Sequence, residues 1–364
     1  MKNNNSENGK KFITSDGILL GVFIIIFAVC IIPFASGISK SSKAETQQKE
    51  IEADTSDAEK KEYSVSDNSS VSFIFENSID CIKPEDFASE AVLLYDYSEN
   101  KILFSKNSSQ PLYPASTTKI MTAYTAVKYL PSDYILKVGS ELSLLAYDSS
   151  IAGLMENDEI SLNDILYALL LPSGNDAAYT IAVNTARYLS EKPMSDPDAV
   201  HYFCELMNKE AAAMGAENTH FCDPDGYHNQ FHYTTAEDLL RISLMAYESE
   251  TIRNIVAVPA FDTVLKNGHA YHWDNGNCLV VNDNQYYLPF ATGFKTGFMD
   301  EAGYTMVASA TSPVNGHKLF AVTLKSPTLK GRYTDAANLF YSVIDTGKIV
   351  KEPIEPAVAL EPVV

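Results

Sequence analysis

Ser116-Thr117-Thr118-Lys119 sets a hydroxyl three residues ahead of an amine, and two more short motifs follow it in order: Ser173-Gly174-Asn175 and Lys295-Thr296-Gly297. Each alone is a weak signal. In this order they supply a nucleophile, a base, a proton relay, an amide holder and a carboxylate pocket, the parts that acyl transfer on a peptide with a free C-terminus requires. A serine hydroxyl attacks only when a base takes its proton. Lys119 serves only if its amine is neutral near pH 7, which burial and a second nearby cation would favour.

The elements around the motifs are legible. Pro114 suits a first helical turn, and residues 116–130 are expected to form a helix with Ile120, Ala123, Val127 and Leu130 on one face, stopped by Pro131. Residues three apart on a helix are neighbours, so Lys119 reaches Ser116. The apolar run 162–171 is a second helix, broken by Pro172, so residues 173–175 fall in a tight loop before a helix over 176–189. There Ser173 would relay a proton, and the Asn175 amide would hold both a lysine and a substrate carbonyl. Residues 291–298, 304–310 and 319–324 are expected strands, with Asn315-Gly316 as a turn between the last two. Gly297 lets a ligand come close to the strand, so that Lys295 and Thr296 face a bound carboxylate. Residues 91–95 and 101–105 form an expected hairpin, Thr234 with Glu237 a capping box ahead of 239–247, and 333–345 a closing helix.

The trio resembles the signature of the serine penicillin-recognising proteins, and within them the low-molecular-weight D-alanyl-D-alanine carboxypeptidases of the peptidase S11 type. Pro114-Ala-Ser-Thr-Thr-Lys119, Ser173-Gly-Asn-Asp-Ala177, Asn218-Thr-His-Phe221, Asp225-Gly226, Thr235-Ala236-x-Asp238 and Lys295-Thr-Gly with Ala302-Gly303 carry the likeness, which runs from about 88 to 351. The resemblance implies an α+β fold of the serine β-lactamase/transpeptidase kind: an antiparallel sheet flanked by helices, a helical subdomain, and the active site in the cleft between them. It implies Ser116 as the acylated nucleophile, Lys119 as base, and Ser173 and Asn175 as relay and amide-binding residues. Lys295, Thr296 and Arg332 would hold the terminal carboxylate, and the N–H groups of Ser116 and Phe298 would form the oxyanion hole around Gly297. The implied reaction removes the terminal D-Ala from peptidoglycan pentapeptide stems, with β-lactams acylating the same serine. Phe298 and Met299 depart from the family, which carries polar or hydroxyl residues there. The usual C-terminal β-rich domain and amphipathic membrane helix are expected to be missing.

The chain has 364 residues, 46% of them apolar, enough for a full core, and a formal charge of −20 that argues against nucleic-acid binding. The expected organisation is a short cytoplasmic N-terminus (1–17), a signal-anchor or signal peptide (18–37), a disordered charged tether (38–78), the catalytic domain (79–351) and a flexible tail (352–364). Residues 18–35 are uncharged and nearly all apolar, just long enough for a span. Ala35-Ser36-Gly37 would also suit cleavage. The anchor reading is preferred, placing the enzyme on the outer face of a bacterial membrane, with secretion after cleavage as the alternative.

No metal or other cofactor is called for. Cys81, Cys204, Cys222 and Cys278 match no zinc spacing and are expected as free, buried thiols. His228-x-x-x-His232 lacks the following Glu of a metalloprotease helix, and His269 and His272 are expected to pack beside Trp273. Two other functions use related machinery. A class A β-lactamase would use a Glu-x-x-Leu-Asn run to activate a deacylating water, and the expectation is that the chain contains no such run. A non-catalytic β-lactam sensor or wall-binding protein would need a signalling domain or degenerate motifs.

Overall fold

The computed structural model describes residues 73–190 and 192–350. The expected N-terminus and apolar stretch, most of the tether and the tail lie outside these residues. No helix among the described residues is long and apolar enough to cross a membrane. In chain order the strands are β1 (Ile74–Phe75), β2 (Ala91–Asp96), β3 (Lys101–Lys106), β4 (Ile135–Lys137), β5 (Glu159–Ser161), β6 (Ala260–Val264), β7 (Ala270–Asp274), β8 (Ala291–Met299), β9 (Gly303–Thr311) and β10 (Lys318–Ser326). The helices are α1 (Lys119–Tyr129), α2 (Leu162–Leu170), α3 (Asn175–Leu189), α4 (Asp196–Ala213), α5 (Ala236–Tyr247), α6 (Glu250–Val256) and α7 (Leu329–Ile344).

The central sheet has the order β1-β3-β2-β10-β9-β8. Every pair is antiparallel except β1 with β3. Side chains alternate across a strand, and both faces of this sheet are covered, so β2 is buried at every position. Leu93 and Tyr95 join Phe320, Val322 and the inner faces of α1, α2 and α5 in one core. Val92 and Leu94 join Leu319, Ala321, Tyr333, Leu339 and Phe340 of α7 in the other. The α+β class and the flanking helices are as expected, and the site lies along β8, the edge strand.

Several local expectations need correction. The last residues assigned to the tether are part of the sheet: Ile74-Phe75 pair with Lys101-Ile102, because the edge of β3 offers free backbone groups that a short strand satisfies. The cap of α5 is Thr235, which accepts from the Asp238 N–H at 3.1 Å. Glu237 instead accepts from the Ser108 hydroxyl at 2.7 Å. The closing helix starts at Leu329, one turn early, because Thr328 caps it through the Gly331 N–H. Two ribbons, β4-β5 and β6-β7, interrupt a middle region expected to be largely helical. The four described cysteines are free, but only Cys204 is buried.

Candidate active site

Ser116 does not open a continuous α-helix. It lies in a 3-10 turn, Ala115–Thr118, that runs into α1 at Lys119. Ala115 has φ +48°, a left-handed conformation costly for a residue with a Cβ. The turn is held by its surroundings: the Pro114 carbonyl accepts from the Thr117 hydroxyl at 2.7 Å and from the Thr305 hydroxyl of β9 at 2.9 Å. The Ser116 side chain is thereby presented at the start of the helix rather than along its face.

Lys119 is fully buried and its ammonium position is specified by three acceptors: Ser116 Oγ at 3.0 Å, Asn175 Oδ1 at 2.7 Å and the Asp225 carbonyl at 2.9 Å. Burial lowers its pKa to about 8, while the carboxylates of Asp225, Asp223 and Asp176 push back. The expected second cation is felt at the other partner. Lys295, also buried, is driven well below the ordinary lysine value by burial first, then by Lys119 and Arg332.

Asn175 holds Lys119 through its Oδ1 at 2.7 Å, but it is the first residue of α3 rather than part of the loop. Its backbone N–H donates to the Ser150 carbonyl at 2.8 Å. Ser173 has φ +65°, and its Oγ is buried without a hydrogen-bond partner in the structure. Ser173 and Ser116 line the same cleft, so this unpaired hydroxyl is one that a molecule bound there could satisfy.

On the opposite wall runs β8. A Cβ on Gly297 would lie 2.4 Å from Thr305 Oγ1 and 2.8 Å from the Ser116 nitrogen, so only glycine lets the strand press against the nucleophile turn. Thr296, Gly297 and Phe298 line a cleft of about 670 Å³ together with Ser116, Ser173, Asn175 and Arg332. Lys295 lies behind this lining and donates to the Thr296 carbonyl at 2.9 Å. Arg332 is neither in a loop nor solvated. It sits in the first turn of α7, is 5% exposed, donates to the Gly297 carbonyl at 3.0 Å and lies over the rings of Tyr333 and Tyr304. Its Nε is buried and unpaired. Phe298 is half exposed and packs on Tyr304, making the rim apolar.

Three contributors were given no role from the sequence, although Asp225-Gly226 was among the stretches that carry the likeness. Asp225 provides the third acceptor for Lys119 and is itself buried, which with the neighbouring Asp223 raises its carboxyl to about 8. Gly226, at φ +85°, lies directly on the nucleophile turn. The 148–154 loop forms a further wall, fixed by Asp176, whose carboxylate accepts from the N–H groups of Ala152, Gly153 and Leu154 at 2.8–2.9 Å. The Asp-Pro-Asp-Gly turn at 223–226 was the available sequence signal for the first two.

The discounted signals separate in space. His228 lies at the cleft rim beside Tyr113, while His232 is buried against Thr118. His269 pairs with Asp158 at 2.6 Å, and His272 with Asp262 at 2.8 Å. A Glu-x-x-Leu-Asn run does occur, as Glu159-Ile-Ser-Leu-Asn163, contrary to expectation. Glu159 is exposed on β5 opposite Lys137 and is not among the cleft-lining residues, so it is not placed to activate a water on Ser116.

A buried lysine bonded to a serine, with a serine-asparagine loop on one side and a Lys-Thr-Gly strand on the other, defines a serine acyl-transfer site on a penicillin-recognising fold. The family model for peptidase S11, D-alanyl-D-alanine carboxypeptidase, matches residues 79–328. The D-alanyl-D-alanine carboxypeptidase of Streptomyces sp. (strain K15) is 32% identical over 249 residues, 65% of this chain and 80% of that protein. The enzyme DacA of Haemophilus influenzae, of the same description, is 28% identical over 294 residues, 74% and 68% of the two chains. The solved structure of the Streptomyces K15 DD-transpeptidase superimposes with a TM-score of 0.63 at 30% identity, covering 70% of this chain and 97% of that one. The chain belongs to the D-alanyl-D-alanine carboxypeptidase family, and it is a serine-type hydrolase of that class.

Proposed function

We propose that this chain removes the terminal D-Ala from peptidoglycan stem peptides through an acyl-enzyme on Ser116. The observation that carries the reading is the Lys119 amine, fully buried, 3.0 Å from Ser116 Oγ and with a pKa near 8. A neutral Lys119 takes the Ser116 proton as Oγ attacks the carbonyl carbon of the penultimate D-Ala. The oxyanion that forms is held by the N–H groups of Ser116 and Phe298, one on the turn and one on β8. The Asn175 amide holds the substrate amide. Ser173 passes a proton to the departing amine, a task suited to a hydroxyl with no other partner. A water then cleaves the ester and regenerates Ser116.

The terminal carboxylate is read at Thr296 and the free Nε of Arg332. Lys295 supplies charge from behind the lining: an arriving carboxylate favours the protonated form that burial disfavours in the free enzyme. The catalytic domain is proposed to run from the β1 strand at residue 74 to about 351, with the apolar stretch 18–35 holding it at the outer face of a bacterial membrane.

The test is release of free D-alanine from a Lys-D-Ala-D-Ala tripeptide by the full chain, beside a Ser116→Ala control, with labelling by a fluorescent penicillin in parallel. Release and labelling that both vanish in the control are the expected result. Labelling of Ser116 without release would overturn the carboxypeptidase reading, and release that survives in the control would overturn the assigned nucleophile.

A further inference from the structure

His232, Asp223 and Thr118 form a chain of bonds that the reaction above does not use. His232 is 2% exposed, with Nε2 2.9 Å from Thr118 Oγ1 and Nδ1 3.1 Å from Asp223 Oδ2. Burial raises the Asp223 carboxyl, but His232 outweighs it and holds the group below its ordinary value, so Asp223 is an anion. The ring thus bridges the two, with Nδ1 on the Asp223 carboxylate and Nε2 on the Thr118 hydroxyl. The Cys222 N–H approaches the same Nδ1 at 3.3 Å, the longer of the two contacts. The other Asp223 oxygen accepts from the N–H groups of Gly226 at 2.6 Å and Asp225 at 3.3 Å.

These bonds close a ring on the catalytic base. One end holds Thr118, the residue before Lys119. The other holds the peptide of Asp225-Gly226, whose carbonyl accepts from Lys119 Nζ at 2.9 Å. Besides the Lys119 bond, the 223–226 loop is tied to α1 by the Pro224 carbonyl, which accepts from the Thr122 hydroxyl at 2.5 Å; the His232 bridge is the tie at Thr118, directly before Lys119. A buried histidine bonded at both ring nitrogens often does no more than satisfy a core. Here the two segments it joins are the one that leads into Lys119 and one of those that supply acceptors to its amine, Asn175 on α3 being another.

We propose that His232 and Asp223 are positioning residues for acylation, acting through Thr118 and the Asp225-Gly226 peptide to keep the Lys119 lone pair aimed at Ser116 Oγ. The inference rests on Lys119 being the base for Ser116. It makes a specific separation: the pair sets the rate of the chemical step, while ligand binding at Thr296, Asn175 and Arg332 is independent of it. Misplacement of a reacting group by about 1 Å costs on the order of 100-fold in rate.

The experiment follows acylation of the full chain by a fluorescent penicillin over a range of concentrations. The limiting rate constant k2 and the half-saturation constant K are then obtained separately, per labelled site, so that unfolded molecules do not enter. In His232→Phe, which keeps ring volume and removes both bonds, k2 is expected to fall about 10- to 100-fold with K changed less than about two-fold. His232→Gln, which retains a donor and an acceptor, is expected to recover most of the loss. Wild-type k2 in His232→Phe overturns the proposal, as does a proportional change in K. Should His232→Phe give no labelled sites, Asp223→Asn takes its place: a lowered k2 at unchanged K supports the pair, and an unchanged k2 overturns it. Failure of wild-type protein to label at Ser116 would instead sink the acyl-enzyme reading.

Discussion

Replacing Gly226 by alanine tests how rigidly the site is assembled. Gly226 has φ +85°, and a Cβ there would lie 1.9 Å from the carbonyl oxygen of Ala115, 2.5 Å from its carbon and 2.7 Å from Thr118 Oγ1. Ordinary contact begins near 3.4 Å, so the loop and the nucleophile turn must separate by about 1.5 Å, the difference between 3.4 and 1.9 Å. The first two atoms are backbone, so no side-chain rotation relieves the clash. The turn cannot retreat freely, because Pro114 is tied to Thr305 at 2.9 Å. The loop therefore moves and carries the Asp225 carbonyl away from Lys119. A left-handed L-residue costs about 1–2 kcal/mol, and overpacking about 1–3 kcal/mol, for a total loss of about 2–5 kcal/mol. At about 2 °C per kcal/mol or more for a domain of this size, the melting temperature falls by about 4–10 °C. Acylation by a fluorescent penicillin is expected to slow by roughly 100-fold per labelled site. A Gly226→Ala protein that melts and acylates like wild type would refute the claim that these two segments form a rigid pair.

Other expectations follow from single groups. With Lys119 lowered to about 8 and the neutral amine as the active form, acylation falls as pH drops through 8. About half of the enzyme is competent at pH 8 and about a tenth at pH 7, a roughly five-fold change, so a profile flat from pH 6 to 9 would contradict the lysine base. Arg332→Ala is expected to weaken discrimination between the tripeptide and its C-terminally amidated form by about tenfold or more, since a hydrogen bond to a charged group contributes about 1.5–3 kcal/mol. Equal discrimination in mutant and wild type would remove Arg332 from the carboxylate site. Asp176→Ala leaves the N–H groups of residues 152–154 without their acceptor. At about 1–3 kcal/mol per unpaired buried donor, a loss of about 3 kcal/mol is expected in urea unfolding, and an unchanged midpoint would show that the loop finds other partners.

The parts of the site that were legible in the sequence share a property: each depends on neighbours within a few residues. Ser116 and Lys119 are three apart, and their bond is a consequence of any helical turn. Pro172 ends α2 and so creates the Ser173-Gly174-Asn175 corner. Strand-like runs, with the Asn315-Gly316 turn between the last two, marked β8, β9 and β10 and therefore the strand bearing Lys295-Thr296-Gly297. Where such reasoning failed locally, a competing short-range bond had won, as when Thr235 rather than Thr234 capped α5. The Glu159-to-Asn163 run shows the reverse hazard. Its wording matches a catalytic motif, and only its place on an exposed ribbon removes it from the chemistry.

What the sequence by itself determined is the inventory: the side chains proposed as nucleophile, base and relay, the strand proposed to meet the carboxylate, and an α+β frame to carry them. Only the tertiary structure decided how they act together. Lys119 is bonded to residues 56 and 106 positions away, and its lowered pKa comes from burial that no local pattern records. Arg332 reaches the Gly297 carbonyl because α7 packs on the sheet, and Gly226 touches Ala115 because the chain between them folds back. Such contacts are set by the packing of whole elements against one another. The free energy of a buried charge or an unpaired donor depends on what surrounds it, not on what precedes it in the chain.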